Sequence, residues 1–181
     1  LASLSGYQTV SRRDGGRTGL YYDAPELLLR GRRVDDVVLL GLGGGEMLRS
    51  GRRAQPAARL VGVEIDPHVA AIAWDDFGMS RLGVEVQIND AALWVRGAPP
   101  SSFDAVLIDI YLDSVMPSWV GEHEFLEASS KLLRSRGILA INVHNDPARV
   151  IAVADELHAL GFEHFGALVF AQNTVLSASR P

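Results

Sequence analysis

Short apolar runs alternate along the chain with segments whose apolar positions recur at helical spacing. Five runs rich in Val, Ile and Leu predict strands: VVLLG (37–41), RLVGVE (59–64), VEVQI (84–88), FDAVLID (103–109) and GILAINV (137–143). Apolar residues at every third or fourth position predict helices at 67–78, 91–97, 123–135 and 147–161. Strands that are apolar on both faces and separated by helices indicate a mainly parallel sheet covered on both sides.

Both ends of the chain add β-structure to this expectation. FEHFGALVF (162–170) and NTVLSASR (173–180) follow the last helix closely and predict an antiparallel pair at the sheet edge. The fold class is therefore α/β, a doubly wound, mostly parallel, seven-stranded Rossmann-like sheet. Near the start, a turn at Asp14-Gly15-Gly16 predicts a β-hairpin. We expect a hairpin extension at 1–23 and a sheet domain at 24–181.

Composition narrows the classes of function. The 181 residues are 48% hydrophobic and 22% charged, which suits one domain with a full core. A formal net charge of −5 argues against a nucleic-acid surface, and the absence of cysteine excludes disulfides and thiolate chemistry. No apolar run approaches the roughly 18 residues of a membrane span, and the N-terminal residues lack a signal-peptide layout. We expect a cytoplasmic protein that binds neither nucleic acid nor membrane.

Four glycines follow the first predicted strand, in DVVLLGLGGGEML (36–48). Ligands of doubly wound sheets bind at this end of the strands, and glycine lets the backbone approach them closely. Tight packing of strand on helix is the alternative explanation. Glu64 ends the second strand about twenty residues later, where an acid can accept both ribose hydroxyls. Because Asp66 before Pro67 already serves as the helix cap, Glu64 is left for a ligand.

Two further acids indicate which kind of ligand to expect. A dinucleotide motif would need glycine at position 46, but Glu46 stands there and would oppose a pyrophosphate at the helix N-terminus. This favours a cationic ligand tail, such as that of an adenosyl sulfonium, over NAD or ATP. Asp90 follows the third strand and could accept from an adenine amino group. It is also a good N-cap for a helix that begins at Ala91, and both roles stay open.

Together these residues resemble the S-adenosylmethionine-dependent methyltransferase fold and, more narrowly, the spermidine synthase family. GGGEMLR is similar to that family's Gly-Gly-Gly-Asp turn with its following Leu-Arg, VEIDP matches its second-strand signature, and SGYQTV resembles its Tyr-Gln entry. Residues 103–143 look like its fourth strand, loop and fifth strand. The resemblance implies S-adenosylmethionine or its decarboxylated form as co-substrate, with no metal, bound by Gln8, Gly41, Gly43, Gly44, Gly45, Glu46, Glu64, Ile65, Asp90, Ala91 and Asp109.

The resemblance also implies aminopropyl transfer to a small-molecule amine or polyamine. Asp109 matches the family's proton-accepting aspartate, Asp113 would grip the amine, and Tyr111 would order it. A loop of turn-forming aspartates with an exposed tyrosine is the alternative. Methyl transfer from the same pocket and a non-catalytic nucleoside-binding domain also remain open, as does a homodimer. His144, at the end of the fifth strand, is a candidate for lining the acceptor pocket.

The chain departs from the family pattern in three places. Three residues, IYL, separate Asp109 from Asp113 where the family has two. The family's Tyr-His-Glu gate is absent from DAPELLLRGRRVDD (23–36), and the N-terminal sheet domain is reduced to one hairpin at most. These departures concern the grip on a polyamine and leave nucleoside binding as expected.

Overall fold

The computed structural model describes residues 9–112 and 115–181 in full and the backbone alone at 2–3 and 6–7. Within these residues one sheet contains seven strands: β1 (Asp36–Leu40), β2 (Arg59–Glu64), β3 (Val84–Ile88), β4 (Phe103–Ile108), β5 (Leu133–His144), β6 (His164–Val169) and β7 (Asn173–Ser179). The strand order is β3-β2-β1-β4-β5-β7-β6. β7 runs opposite to the other six strands of this sheet, so the predicted class and the closing pair are confirmed.

The helices that cross between the strands are α1 (Ala24–Leu29), α2 (Glu46–Ala54), α3 (Pro67–Asp75), α4 (Ala91–Gly97), α5 (His123–Lys131) and α6 (Pro147–Ala159). Single turns of 3₁₀ helix occur at Tyr21–Asp23 and Ser118–Gly121. Asp66 caps α3 by accepting from the His68 N–H at 2.8 Å, as its place before Pro67 predicts. In the described residues no helix has the length and apolarity to cross a membrane.

The sheet separates two layers of core, because successive strand residues point to opposite faces. One face packs against α4, α5 and α6 through residues that include Val38, Leu40, Val106, Ile108, Leu139, Ile141, Val95, Leu126 and Leu157. The other packs against α1, α2 and α3 through residues that include Val37, Leu39, Ala105, Leu107, Ala140, Leu29, Leu48 and Ala73. The strand order reverses direction between β1 and β4, so their carboxyl ends border the crevice expected to hold a ligand.

The predicted helix at 123–135 is wrong at its C-terminal end. The helix stops at Lys131, and β5 begins at Leu133, which pairs with Phe103. Arg134 explains the early strand, because its guanidinium reaches Asp104 on the neighbouring β4 at 2.9 Å and Asp36 on β1, one strand further, at 2.7 Å. These ion pairs and the strand pairing outweigh the helical spacing of the leucines.

The predicted hairpin around Asp14-Gly15-Gly16 is also wrong. A turn does close there, with the Gly15 N–H donating to the Arg12 carbonyl at 3.0 Å, but no strand flanks it between residues 9 and 20. The segment packs onto α2 instead, where Arg53 donates to the Gly15 carbonyl at 3.2 Å. A short antiparallel pair, Ala2–Ser3 with Gly6–Tyr7, lies earlier in the chain. The domain division at residue 23 stays a prediction.

Candidate functional site

Backbone conformation and packing account for the glycines of the turn after β1. Gly41, Gly43 and Gly45 have positive φ angles of 85°, 51° and 77°, which favour glycine strongly. A Cβ on Gly41 would overlap the Asp109 carbonyl, so this glycine lets the ends of β1 and β4 meet. Side chains at Gly44 or Gly45 would collide with residues packed behind the turn, Phe77 and Met79 among them. The packing explanation is therefore confirmed at these positions, and close approach of a ligand to the turn stays a prediction.

Glu64 is held at this turn by backbone donors. Its Oε2 accepts from the Gly43 N–H at 2.9 Å and its Oε1 from the Asp66 N–H at 3.1 Å. The residue is only 9% exposed, and no cation contacts it in the described part of the chain. Each carboxylate oxygen has a second lone pair, so two ligand hydroxyls can still be accepted.

Asp90 is an N-cap in the structure. Its Oδ1 accepts from the Ala92 N–H at 2.7 Å and the Leu93 N–H at 3.3 Å. Its Oδ2 is not used by the cap and can accept from a ligand. Ile65, Ile88 and Leu93 are 58–66% exposed around this point, the first beside Glu64 and the second paired with it across β2 and β3. Exposed apolar side chains of this kind can hold a flat base. Among the apolar neighbours, the sequence predicts Ile65 and Ala91 as binding residues but not Ile88 or Leu93.

Glu46 does not lie open to the glycine turn. It is 1% exposed, and its carboxylate reaches Arg49 at 3.2 Å and Arg53 at 3.7 Å on the same helix. Burial raises the pKa of Glu46, against the lowering effects of a Ser11 hydrogen bond and the two arginines. The expectation that its charge selects a cationic ligand tail gains no support from this arrangement.

Asp109, directly after β4, is held by two neutral donors. The Asn142 Nδ2 donates to its Oδ1 at 2.8 Å, and the Tyr21 hydroxyl donates to its Oδ2 at 3.3 Å. Burial raises the pKa of Asp109 to about 6, although both hydrogen bonds lower it. This carboxylate is thus ionised near neutral pH yet basic enough to take a proton.

Asn142, on β5, also contributes an unpaired acceptor beside Asp109. The residue is 1% exposed, and its Oδ1 has no hydrogen-bond partner among the described residues. A buried amide oxygen without a donor costs about 1–3 kcal/mol. Sequence reasoning missed Asn142, although parallel pairing of Ile108 with Ile141 puts positions 109 and 142 side by side.

Tyr111 makes its contacts with neighbouring residues of the scaffold. Its hydroxyl donates to the Asn142 carbonyl at 3.2 Å and accepts from the Asn173 side chain. Its ring lies 4.7 Å from that of His144, so the histidine packs on the tyrosine at the end of β5. Burial, the largest cause, and the charge of Asp109 both raise the pKa of Tyr111. The tyrosine that touches Asp109 is Tyr21, which the sequence reasoning did not select.

Two predicted residues lie outside the described part of the chain: Gln8 and Asp113. The loop that contains Asp113 is pinned at its base, since the backbones of Leu112 and Val115 exchange hydrogen bonds of 2.9 and 3.0 Å. A residue missed at the other end is Thr9, whose hydroxyl accepts from the Gly44 N–H at 3.0 Å. The residue after the Tyr-Gln pair therefore reaches the glycine turn.

Sequence comparison finds relatives over most of this chain. It is 28% identical over 145 residues to a probable polyamine aminopropyl transferase of Bifidobacterium longum, covering 78% of this chain and 31% of the relative. It is 27% identical over 142 residues to the polyamine aminopropyltransferase of Vibrio vulnificus, covering 75% and 48%. The chain thus spans about a third to a half of the curated relatives it matches. No protein-family model matches it.

Solved structures agree on the fold. A probable spermidine synthase from Corynebacterium glutamicum superposes with a TM-score of 0.75 at 20% identity, covering 95% of this chain and 65% of that one. A spermidine synthase in complex with the transition-state analogue AdoDATO gives 0.71 at 19%, covering 91% and 61%. Human methyltransferase-like protein 13 in complex with SAH gives 0.70 at 24%, covering 87% and 76%. This chain is therefore similar in sequence to polyamine aminopropyltransferases, and similar in fold to spermidine synthases and to methyltransferase-like protein 13.

Proposed function

We propose that this chain is a transferase that moves an aminopropyl group from decarboxylated S-adenosylmethionine to a small amine. Its curated relatives carry polyamine aminopropyltransferase names, although the chain spans only part of their length. The nucleoside would lie across the carboxyl ends of β1, β2 and β3. Glu64 would accept its ribose hydroxyls and Asp90 its adenine amino group, between the exposed side chains of Ile65 and Leu93.

The transfer step needs a neutral amine. Its nitrogen lone pair attacks the propyl carbon next to the sulfonium, a C–N bond forms, and the electrons of the C–S bond pass to sulfur. The products are the alkylated amine and methylthioadenosine. The proton lost by the amine goes to Asp109, whose pKa of about 6 leaves it ionised and able to accept near neutral pH.

One observation carries this proposal: Asp109 is a carboxylate held in place only by neutral donors. It accepts hydrogen bonds from Asn142 and Tyr21, and no arginine or lysine contacts it in the described residues. An amine or ammonium group has several N–H donors and no conflicting acceptor when protonated. This carboxylate therefore suits an amine nucleophile better than a carboxylate or phosphate acceptor.

The test is a turnover assay with decarboxylated S-adenosylmethionine and putrescine, cadaverine or spermidine, with methylthioadenosine measured as the common product. We expect Asp109→Asn to reduce turnover by about 10²–10⁴-fold, the usual contribution of a positioned base, while methylthioadenosine affinity stays unchanged. Asp75→Asn, at an exposed position at the end of α3, is the matched control. Unchanged turnover in Asp109→Asn would remove this carboxylate from the mechanism.

A second reaction from the same pocket is methyl transfer from S-adenosylmethionine. It is favoured by the likeness in fold to human methyltransferase-like protein 13, which was solved with SAH. The two reactions differ in their product, because methyl transfer releases S-adenosylhomocysteine and aminopropyl transfer releases methylthioadenosine. Tight nucleoside binding without either product would instead mark a non-catalytic binding domain.

A further inference from the structure

We propose that Arg53, on α2, is a positioning residue that holds the Tyr21 hydroxyl on Asp109 through the buried carboxylates of Asp23 and Glu26. Arg53 itself has no contact with Asp109, Glu64 or Asp90 among the described residues. Its role is to anchor the segment before β1 so that Tyr21 meets the candidate base.

The anchor is a four-point contact from one guanidinium. The Nη2 of Arg53 lies 2.8 Å from Asp23 Oδ1, and its Nε lies 2.8 Å from Glu26 Oε2. The remaining nitrogen donates to the Gly15 carbonyl at 3.2 Å and lies 3.7 Å from Glu46. The two acids nearest to it have side chains only 8% exposed. A planar fork can satisfy several buried acceptors at once, which a lysine ammonium cannot do with the same geometry.

Asp23 connects Arg53 to the turn that contains Tyr21. Its Oδ2 accepts from the Gly19 N–H at 2.7 Å and from the Thr18 hydroxyl at 3.3 Å, and its Oδ1 accepts from the Thr18 N–H at 3.2 Å. These bonds close residues 18–23 into a compact turn that ends in the 3₁₀ helix Tyr21–Asp23. The tyrosine lies inside this closed turn, so its direction depends on Asp23 staying in place.

The segment that precedes Tyr21 has little regular secondary structure to hold it in place. Residues 9–20 contain no strand or helix, and Arg17, which also reaches Glu26, is itself half-exposed. Tyr21 is also constrained by the neighbouring ring of Tyr22, whose centroid lies 4.1 Å away, and by packing against the core layer that contains Leu29 and Leu48. Loosening Arg53 should therefore free the Tyr21 hydroxyl more readily than it unfolds the sheet.

The direct test follows the carboxyl carbon of Asp109 by NMR as pH is varied, with its signal assigned from Asp109→Asn. The titratable groups that interact with Asp109 in the described residues are Tyr21, Tyr22 and Tyr111. We expect Tyr21→Phe to raise the pKa of Asp109, because it removes a hydrogen bond that lowers it. We expect Arg53→Lys to raise it as well, and to add nothing further once Tyr21→Phe is present.

The adjacent arginine offers a matched control. Arg52 donates to the carbonyls of Pro56, Ala58 and Leu82 and does not contact residues 15–26, so Arg52→Lys should leave the pKa of Asp109 as in the parent. If Arg53→Lys does not fold, Asp23→Asn removes the same ion pair with less change in shape. The inference is overturned if Arg53→Lys leaves that pKa unchanged, or if its shift adds fully to that of Tyr21→Phe.

The kinetic readout rests on the proposed function, whereas the NMR readout does not. If the chain transfers an aminopropyl group, Arg53→Lys and Tyr21→Phe should each lower kcat/KM by about ten- to hundredfold, the effect of losing one hydrogen bond to a charged group. The double variant should match Tyr21→Phe alone. Absence of turnover in the parent would refute the function, and an unresponsive Asp109 would refute the positioning role.

Discussion

Asp109→Asn should make the folded protein more stable at neutral pH while it removes the candidate base. Burial raises the pKa of this carboxyl from its ordinary value of 3.8 to about 6. A difference of about two pKa units corresponds to about 3 kcal/mol, at 1.36 kcal/mol for each unit. An asparagine carries no charge to desolvate, and its amide can keep both neighbours because the Tyr21 hydroxyl can accept as well as donate.

The sign follows from proton linkage. The folded state holds the Asp109 proton more tightly than the unfolded state, so the raised pKa favours folding only where the group is protonated. Below about pH 3.8 the carboxyl is protonated in both states and costs nothing. Between pH 3.8 and 6 the stability of the parent falls as pH rises, and above pH 6 the full cost of about 3 kcal/mol remains.

Denaturant unfolding at pH 4 and pH 8 measures this difference. The advantage of Asp109→Asn over the parent should be larger at pH 8 than at pH 4 by up to about 3 kcal/mol. Asp75→Asn, exposed at the end of α3, should show no comparable pH dependence. An equal difference at both pH values, or a larger one in acid, would show that Asp109 is not desolvated in the folded protein.

Two further substitutions test nucleoside binding, and a third tests the glycine turn. Glu64→Gln should weaken methylthioadenosine binding by about tenfold or more in calorimetric titration, since one oxygen becomes a donor facing the ribose; undiminished affinity would count against ribose binding here. Asp90→Asn keeps a good helix cap, so it should lower nucleoside affinity without lowering the melting temperature, and a change in melting alone would leave Asp90 as a cap. Gly41→Ala should destabilise the fold by several kcal/mol more than Gly15→Ala, because both have positive φ but only the first meets backbone; equal unfolding midpoints would contradict this.

The sheet was predictable because its strands are long, apolar and bounded by clear signals. The bounds predicted for β2, β3 and α4 agree with the structure, and Asp66 and Asp90 cap their helices as the sequence indicates. Errors arose where side-chain ion pairs decide the backbone. Arg134 draws residues 133–136 into β5, and Arg53 binds the N-terminal segment that was expected to pair with itself. Periodicity carries no information about such partners.

The site was predictable only as far as strand ends reveal it. Glu64 ends β2, and Asp90 and Asp109 follow β3 and β4. These strands and β1 are consecutive and parallel in the sheet, so the strand order places the three acids along one edge. Asn142 belongs to the same logic and could have been added from the register of β4 and β5. Tyr21 could not, because it reaches Asp109 across 88 positions from a single turn of 3₁₀ helix that no strand pairing places.

The buried and partly buried acids fall into two groups by the groups that hold them, and the second group contains two acids of the proposed site. Asp23, Glu26 and Glu46 each face at least one arginine, which neutralises their charge and ties the N-terminal segment to α2. Glu64 and Asp109 are held only by neutral N–H and O–H donors in the described residues. A carboxylate that no cation neutralises still attracts a cationic ligand. Keeping such a charge desolvated costs stability, so its presence is not explained by packing alone. For Asp109, an arginine in the place of Tyr21 would lower the pKa and repel an ammonium. Neutral donors thus suit the proposed site for an amine and a sulfonium, and the sequence shows the acids without showing which kind of partner each one has.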